Sequence, residues 1–592
     1  MESISVRTGE FTADQKEYLA GFFAGVARQK IRPFAGLTSL GLITDNADCG
    51  SPNLAEAAEE TYHGVPVSDL CREERWKAEQ NPLEIWDRLL AHAESNQAPV
   101  AEDIFRFKFH GLFYVAPAQD SFMLRLRIPG GILTAHQMRG LADLAERFGS
   151  GRVDLTTRAN LQIREFQPKD IVQVLNAVQS LGLTSRGTGA DNVRNITASP
   201  TTGIDPHELL DVGSIANGLH HYILNSRDLY ELPRKFNVAF DNGGSVSVLA
   251  DTNDIGFQAV RVAEGRSVPA GAYFRVLLCG ITGHKQFAED TGLLLSPGQA
   301  VAVAAAMIRV FIDHGDRTDR KKARLKYLVD RWGLEKFVAE TERRLAFPLL
   351  RCDAGESEPR NPIDRAAHIG VHSQRQTDLK YLGVAVPVGR LPVDQMRTVA
   401  EVADSFGTGE IRLTVWQNLL IPNVHVGRVA SAIEHLRNGG LDCDAGTVLR
   451  GTVACTGNRG CRYAATDTKA HAVELARFLD SHFHILQPVN LHVTGCPHSC
   501  AQHYIGDIGL LGTKVMSAEG YQVFIGGGAD NDRGIARELI ASIAFSDLPA
   551  AMEGLFKAYL ERRGEEESFL DFSRRYDIDE LRAFAALKEA DA

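Results

Sequence analysis

A short apolar-rich run, Phe122-Met123-Leu124-Arg125-Leu126-Arg127-Ile128, with polar positions alternating only from Leu124 on, and a wholly apolar one from Tyr381 to Pro387 each predict a strand. A segment with apolar residues at helical spacing follows each. A glycine-marked turn then leads to a second strand, Val153 to Arg164 or Ile411 to Pro422, and to an amphipathic helix, Ile171 to Leu181 or Val426 to Leu436. The recurrence extends to identity. At an offset of 258 residues, 137–163 matches 395–421 without a gap at 13 of 27 positions, among them Gln137-Met138-Arg139 with Gln395-Met396-Arg397 and Asn160-Leu161 with Asn418-Leu419. Chance gives about two at ordinary composition. The chain is internally duplicated.

The β-α-β-α order predicts an α+β fold with two ferredoxin-like half-domains, each followed by a mixed α/β domain, about a pseudo-two-fold axis. The expected boundaries are an N-terminal helical wrap over 1–105, half-domain 1 over 106–185, α/β domain 1 over 186–345, linker and half-domain 2 over 346–445, α/β domain 2 over 446–545, and C-terminal helices over 546–592. A site on the axis would draw on both halves. The longest apolar run, Val301 to Ile312, is broken by Arg309 and is too short for a membrane span, so it reads as a core helix.

Charge narrows the partners. A net charge of −11 argues against nucleic acid, which needs a basic footprint, and an acidic protein partner would need a local basic patch. The start, Met1 to Arg7, has no leader pattern, which predicts a cytoplasmic protein with reduced thiols. Of nine cysteines, Cys49, Cys71, Cys279, Cys352 and Cys443 are scattered and are expected to pack as small apolar groups. The other four are paired: Cys455 and Cys461 with five residues between them, then Cys496 and Cys500 with three. Four thiolates in two close pairs can hold an iron–sulfur cluster or zinc, and the five-residue gap disfavours a zinc knuckle. Gly457, Gly460 and Gly495 are expected to let backbone amides approach the sulfurs, and Pro497 to exclude water.

The paired motifs, Ala454-Cys455 to Cys461 and Thr494-Gly495-Cys496-Pro497-His498-Ser499-Cys500, resemble those of the sirohaem-containing nitrite and sulfite reductases, over roughly residues 80–550. That resemblance implies a 4Fe–4S cluster on Cys455, Cys461, Cys496 and Cys500, with Cys500 also bridging to the sirohaem iron. His498 and Ala501 depart from the family pattern, and His498 adds a titratable group beside the cluster. Three basic motifs also match: Leu124-Arg125-Leu126-Arg127, Asp191-Asn192-Val193-Arg194-Asn195 and Pro233-Arg234-Lys235-Phe236-Asn237. The resemblance maps Arg125, Arg194 and Lys235 to an oxyanion pocket. Taken singly, each would be an ordinary surface charge. Thr156-Thr157-Arg158-Ala159-Asn160-Leu161-Gln162 resembles the sirohaem-binding strand, which makes Arg158 and Gln162 candidate partners of the sirohaem carboxylates. Its copy, Thr414-Val415-Trp416-Gln417-Asn418, lacks the arginine.

Asn237 stands where sulfite reductases of the family tend to carry a second lysine. Loss of one cation suits the nitrite monoanion, so nitrite-to-ammonia reduction is the expected activity and sulfite reduction the alternative. A non-enzymatic iron–sulfur or zinc module is the reading outside catalysis. No nicotinamide or flavin fingerprint is found, which implies a separate donor, in this family ferredoxin. Arg320, Lys321, Lys322 and Arg324 could dock it, or could instead form a solvated linker or meet sirohaem carboxylates. At the 258 offset Cys455 pairs with Thr197 and Asn237 with Gly495, an equivalence expected to set cluster and anion pocket on opposite sides of one cofactor.

Overall fold

The computed structural model describes residues 60–585; the start of the chain, most of the expected wrap and Cys49 lie outside them. Helices Arg72–Glu79, Trp86–Ser95 and Ala101–Phe107 lead into the first sheet, and helices Leu548–Arg562, Phe569–Arg575 and Ile578–Phe584 close the described chain. The run around Val301 is the buried helix Ala300–His314.

Two five-stranded sheets form the centre, and each takes a strand from the other half. The first holds Leu112–Val115, Ser121–Arg125, Leu161–Phe166 and Arg152–Leu155, and ends in Arg390–Pro392 from the second half. The second holds Gly370–Ser373, Leu379–Val384, Leu419–His425 and Glu410–Leu413, and ends in Ile132–Thr134 from the first. Arg390, Leu391 and Pro392 pair with Asp154, Val153 and Arg152, while Ile132, Leu133 and Thr134 pair with Arg412, Ile411 and Glu410. All these partners are related by the same 258-residue offset. The exchange closes an edge on each sheet that would otherwise offer unpaired backbone groups. Helices Ala135–Arg147 and Val393–Phe406 pack on each other, so one hydrophobic core runs through both halves.

What reads in the sequence as a second long strand is a hairpin, Arg152–Leu155 and Leu161–Phe166. Between them Thr156 N donates to Asn160 O at 2.9 Å and Ala159 takes a positive φ of 48°, so the Thr156–Asn160 stretch is a turn and not a strand. The Gln417 backbone repeats this at φ 60° in the other half.

Each half continues into a mixed sheet with two parallel pairings and then antiparallel ones. The first runs Thr197–Ala198, Val238–Asp241, Ile255–Val262, Gly271–Leu278, Glu289–Leu295 and Leu350–Arg351; the second runs Thr452–Ala454, Leu491–Thr494, Ile508–Val515, Ala518–Ile525 and Arg537–Ala544. Among the described residues no helix is long and apolar enough to cross a membrane.

Candidate active site

The three basic motifs converge because backbone pairing brings them together. Val193 and Phe236 form a parallel bridge in which Phe236 N donates to Asn192 O (3.0 Å) and Arg194 N to Phe236 O (2.8 Å). Arg194 and the Lys235–Asn237 segment thus lie side by side. Arg125, at the end of its strand, joins them through one acceptor. The Thr188 carbonyl takes Arg194 Nη1 at 2.5 Å and Arg125 Nη1 at 3.5 Å, and Ala190 O takes Arg194 Nη2 at 2.8 Å. The Arg125 guanidinium also lies 4.5 Å from the Phe113 ring centroid. Asn195 ties in the cofactor motif: its amide donates to Ile128 O (2.7 Å) and Arg158 O (2.8 Å), and its Oδ1 accepts from Ile128 N (2.8 Å). The sequence contains Asn195, but nothing local marks it as this junction.

These cations are crowded and short of counter-charge. Burial pulls Arg125 and Arg158 down to about 10; Arg164 adds to the effect on Arg125, and Arg324 and Arg125 to that on Arg158. Burial and Arg125 pull Arg194 well below its ordinary value. Desolvation first and mutual repulsion second work against these charges, and an anion between them would relieve both. Lys235 is pulled to about 7 by burial and Arg324, with the Cys500 thiol opposing. That interaction places the lysine and the cysteine within electrostatic reach of each other. Asn237 is buried; its backbone N donates to Asp254 Oδ2 at 2.9 Å, and its Oδ1 has no partner.

Arg127 does not join the pocket. It is a buried structural residue whose guanidinium donates to the carbonyls of Arg186, Gly187 and Val193 at 2.5–3.3 Å. Arg158 donates to Asn253 Oδ1 at 3.0 Å and keeps its other terminal nitrogen buried and unpartnered. Gln162 pairs in register with Arg125, but its Oε1 accepts from Arg164 at 2.5 Å; Arg164 in turn donates to Thr456 Oγ1 at 3.0 Å beside Cys455.

The four cysteines sit on the loops after Thr452–Ala454 and Leu491–Thr494. Gly495 N donates to Cys455 Sγ at 3.2 Å, and a methyl on Gly495 would lie 2.6 Å from Ala464 Cβ, so only glycine allows this approach. Cys496 Sγ lies 3.4 Å from His498 Nδ1. Burial pushes Cys455 up and Cys496 to about 12, each also raised by neighbouring thiols, so the protein alone disfavours the thiolates that a metal would stabilise. Cys496 is buried and Cys500 exposed, which leaves Cys500 free to face a further group. Thr157 Oγ1 donates to Cys500 O at 3.1 Å, joining the cofactor turn to the cysteine loop. Pro497 is exposed and does not exclude water as expected, because the loop carries it outward with His498. Among the described residues no three His, Cys, Asp or Glu side chains gather closely enough to hold one metal ion.

Two other expectations are corrected. The docking arginines are spent internally: Arg320 grips Asp191 through two bonds of 2.9 Å and Arg324 grips Asp254 at 2.8 and 3.0 Å, as the neighbouring Arg317 meets Glu74 at 2.6 Å. Only Lys321 and Lys322 of the four docking candidates are exposed. The pseudo-symmetric register also slips beyond the half-domains. Asn490 N donates to Asp507 Oδ2 at 2.9 Å as Asn237 N does to Asp254 Oδ2, so the counterpart of Asn237 is Asn490 and not Gly495. Cys455 corresponds to Ser199 and not Thr197. Extra residues in the first half, between its half-domain and these loops, account for the slip.

A cationic cluster and a four-cysteine loop pair thus sit on one duplicated ferredoxin-like scaffold, the setting of a sirohaem-type reductase. The chain belongs to the nitrite and sulphite reductase family: the 4Fe–4S domain of that family matches residues 189–349 and 445–589, and its ferredoxin-like half domain matches 115–181 and 372–439. Ferredoxin–nitrite reductases of Leptolyngbya laminosa (36% identical, covering 78% of this chain and 92% of the relative) and Zea mays (35%, 78% and 84%) are similar to it. The solved structure of the Mycobacterium tuberculosis NirA protein matches at TM-score 0.78 and 26% identity, over 87% of this chain and 98% of that one. The residues present fit the family's cofactors: an amide donor on one sulfur, an exposed fourth thiol, and a buried guanidinium nitrogen and amide oxygen left without partners.

Proposed function

We propose that this protein reduces nitrite to ammonia with electrons from ferredoxin. The carrying observation is the Arg125–Arg194–Lys235 cluster, crowded, half-buried and without an ion pair to an acidic side chain, within electrostatic reach of Cys500. Cys455, Cys461, Cys496 and Cys500 would hold the 4Fe–4S cluster; Cys500 would also reach the sirohaem iron, and Arg158 and Gln162 would meet sirohaem carboxylates. When bound, the pair supplies electrons to the oxyanion at an iron centre. The chain's own residues do the rest. Arg125 and Arg194, fixed on the Thr188 carbonyl, bind the anion and neutralise its charge. Lys235, held near neutrality, gives up a proton and regains one within the working pH range. Asn237 presents an amide where a second cation would favour a dianion. The family's length coverage and the names of its relatives support ferredoxin as donor.

Ammonia and sulfide production, measured with nitrite and sulfite in turn, tests the substrate choice. Nitrite should win by a wide margin in kcat/KM, and Asn237→Lys should shift the ratio toward sulfite by about tenfold. A ratio unchanged by the substitution removes Asn237 as the discriminator; preferred sulfite turnover by the unaltered protein overturns the reading.

A further inference from the structure

Arg164 is buried, with 5% of its surface exposed, yet one end of its guanidinium has no protein partner. The group spans the loop between Cys455 and Cys461. Nη2 donates to Thr456 Oγ1 at 3.0 Å, beside the first cysteine, and a methyl on Gly460, beside the second, would lie 2.9 Å from Nη1. Nη1 itself is buried and makes no hydrogen bond among the described residues. The other positions are fixed. Nη2 also donates to Gln162 Oε1 at 2.5 Å, and Gln162 pairs in register with Arg125; Nε lies 2.8 Å from Asp154 Oδ2. Charge around this group does not balance. Asp154 also meets Lys469 at 3.3 Å and Arg390 at 3.9 Å, so one carboxylate is shared among three cations. The neighbouring acid, Glu165, is taken by Arg152 at 2.8 Å.

Excess buried positive charge with a free donor is unfavourable until an anion meets it. The loop that Arg164 spans carries two of the four thiolates that would hold the cluster, and a cluster with four thiolate ligands is anionic. We propose that Arg164 is a positioning residue of that cluster: it fixes the 455–461 loop through Thr456 and, through Nη1, gives the loop's sulfurs positive charge and a donor, which makes the cluster easier to reduce. The proposal rests on the reading above and deepens it. Cys455 already takes an amide donor from Gly495 on the other cysteine loop, so Arg164 supplies from the half-domain what that loop does not.

The test uses the cofactor-loaded enzyme and reads the cluster itself, in a redox titration followed by electron paramagnetic resonance. At the potential that half-reduces the parent cluster, Arg164→Gln should lower the ratio of reduced to oxidised cluster about tenfold, a fall of about 59 mV in midpoint for one electron, with the chlorin band retained. Arg164→Lys keeps the charge and should stay within about threefold of the parent. An unchanged midpoint in Arg164→Gln, or an equal fall in Arg164→Lys, overturns the proposal. So does loss of the chlorin band with the midpoint intact, which would assign Arg164 to sirohaem. If Arg164→Gln does not assemble its cluster, Gly460→Ala decides, because its methyl would displace Nη1 while every charge stays and Gly460 holds no positive φ. A severalfold fall in the ratio then supports the proposal, and an unchanged ratio ends it. Absence of any cluster signal in the unaltered protein would instead sink the nitrite-reductase reading itself.

Discussion

Ser199 occupies in the first half the place that Cys455 occupies in the second. Ser199 N donates to Phe240 O at 3.0 Å and Cys455 N to Val493 O at 3.0 Å; Asn242 N donates to Ser199 Oγ at 3.0 Å and Gly495 N to Cys455 Sγ at 3.2 Å. The likeness continues to the next turn. Leu249 and Gln502, both at φ 56° and ψ 48°, precede the short turns Ala250–Thr252 and His503–Ile505, which sets Ser247 opposite Cys500. The duplicated backbone therefore survives where the chemistry has diverged. One half keeps hydroxyls on a loop whose copy carries thiols, and the same half supplies the cationic pocket.

The strand exchange depends on two glycines at equivalent places. Gly389 (φ 71°) has Leu155 O at 2.4 Å from where a Cβ would stand, and Gly131 (φ 76°) has Leu413 O at 2.5 Å. Leu155 O is also held by Gln417 Nε2 at 3.1 Å, which ties it to the other half. Gly389→Ala should destabilise the protein by about 2–4 kcal/mol through strain and overlap. Thermal unfolding checks it, and a melting temperature unchanged within a degree would show that the exchanged strand can shift.

Arg320 was a docking candidate by sequence and is a buried-charge partner by structure. Its removal leaves Asp191 with only Lys77 at 3.8 Å and Arg234 at 3.7 Å. Arg320→Ala should lower stability by about 2–4 kcal/mol, by analogy with other broken buried pairs. The KM for ferredoxin should change no more than the KM for nitrite. A selective rise in the ferredoxin KM at unchanged stability would return Arg320 to the docking surface.

Lys235 links substrate binding to pH. Its ammonium, pulled from an ordinary 10.5 to about 7, is protonated in the fold only below that pH. Between the two values the unfolded chain binds more protons, so without a bound anion the fold gains stability as pH rises through this window. The cation that attracts nitrite is lost over the same rise. The KM for nitrite should therefore increase from pH 7 to 9, and Lys235→Met should lower kcat/KM by about a hundredfold or more while removing most of that dependence. The apo-protein of this variant should melt no lower than the parent, because a buried charge without a partner has been removed. A lowered melting temperature with normal kcat/KM would assign Lys235 to structure.

Much of this was readable in the chain because it is written locally. Residues 137–163 and 395–421 carry the duplication, and the cysteine spacing carries the redox site. What escaped depends on partners far away in sequence. The pairing of Ile132 with Arg412 follows from the axis and not from any turn signal. The partners of Arg317, Arg320 and Arg324, namely Glu74, Asp191 and Asp254, lie 70 to 243 residues away, so the sequence left docking, a solvated linker and contact with sirohaem carboxylates all open. The 258-residue offset misplaced the counterparts of Asn237 and Cys455 because insertions fall between the half-domain and the loops. Asn195 had no local mark, since its role lies in which three segments it joins.

The central claim is that an anion pocket made by Arg125, Arg194 and Lys235 faces a sirohaem carried on Cys500. An absorption spectrum of the protein, expressed with adequate iron and sirohaem supply, tests it before and after nitrite is added. A Soret band with a long-wavelength chlorin band, both shifting on nitrite and shifting far less in Lys235→Met, is the expected result. Cluster absorbance alone, or a chlorin spectrum indifferent to nitrite, would contradict the account and strip those three residues of their roles.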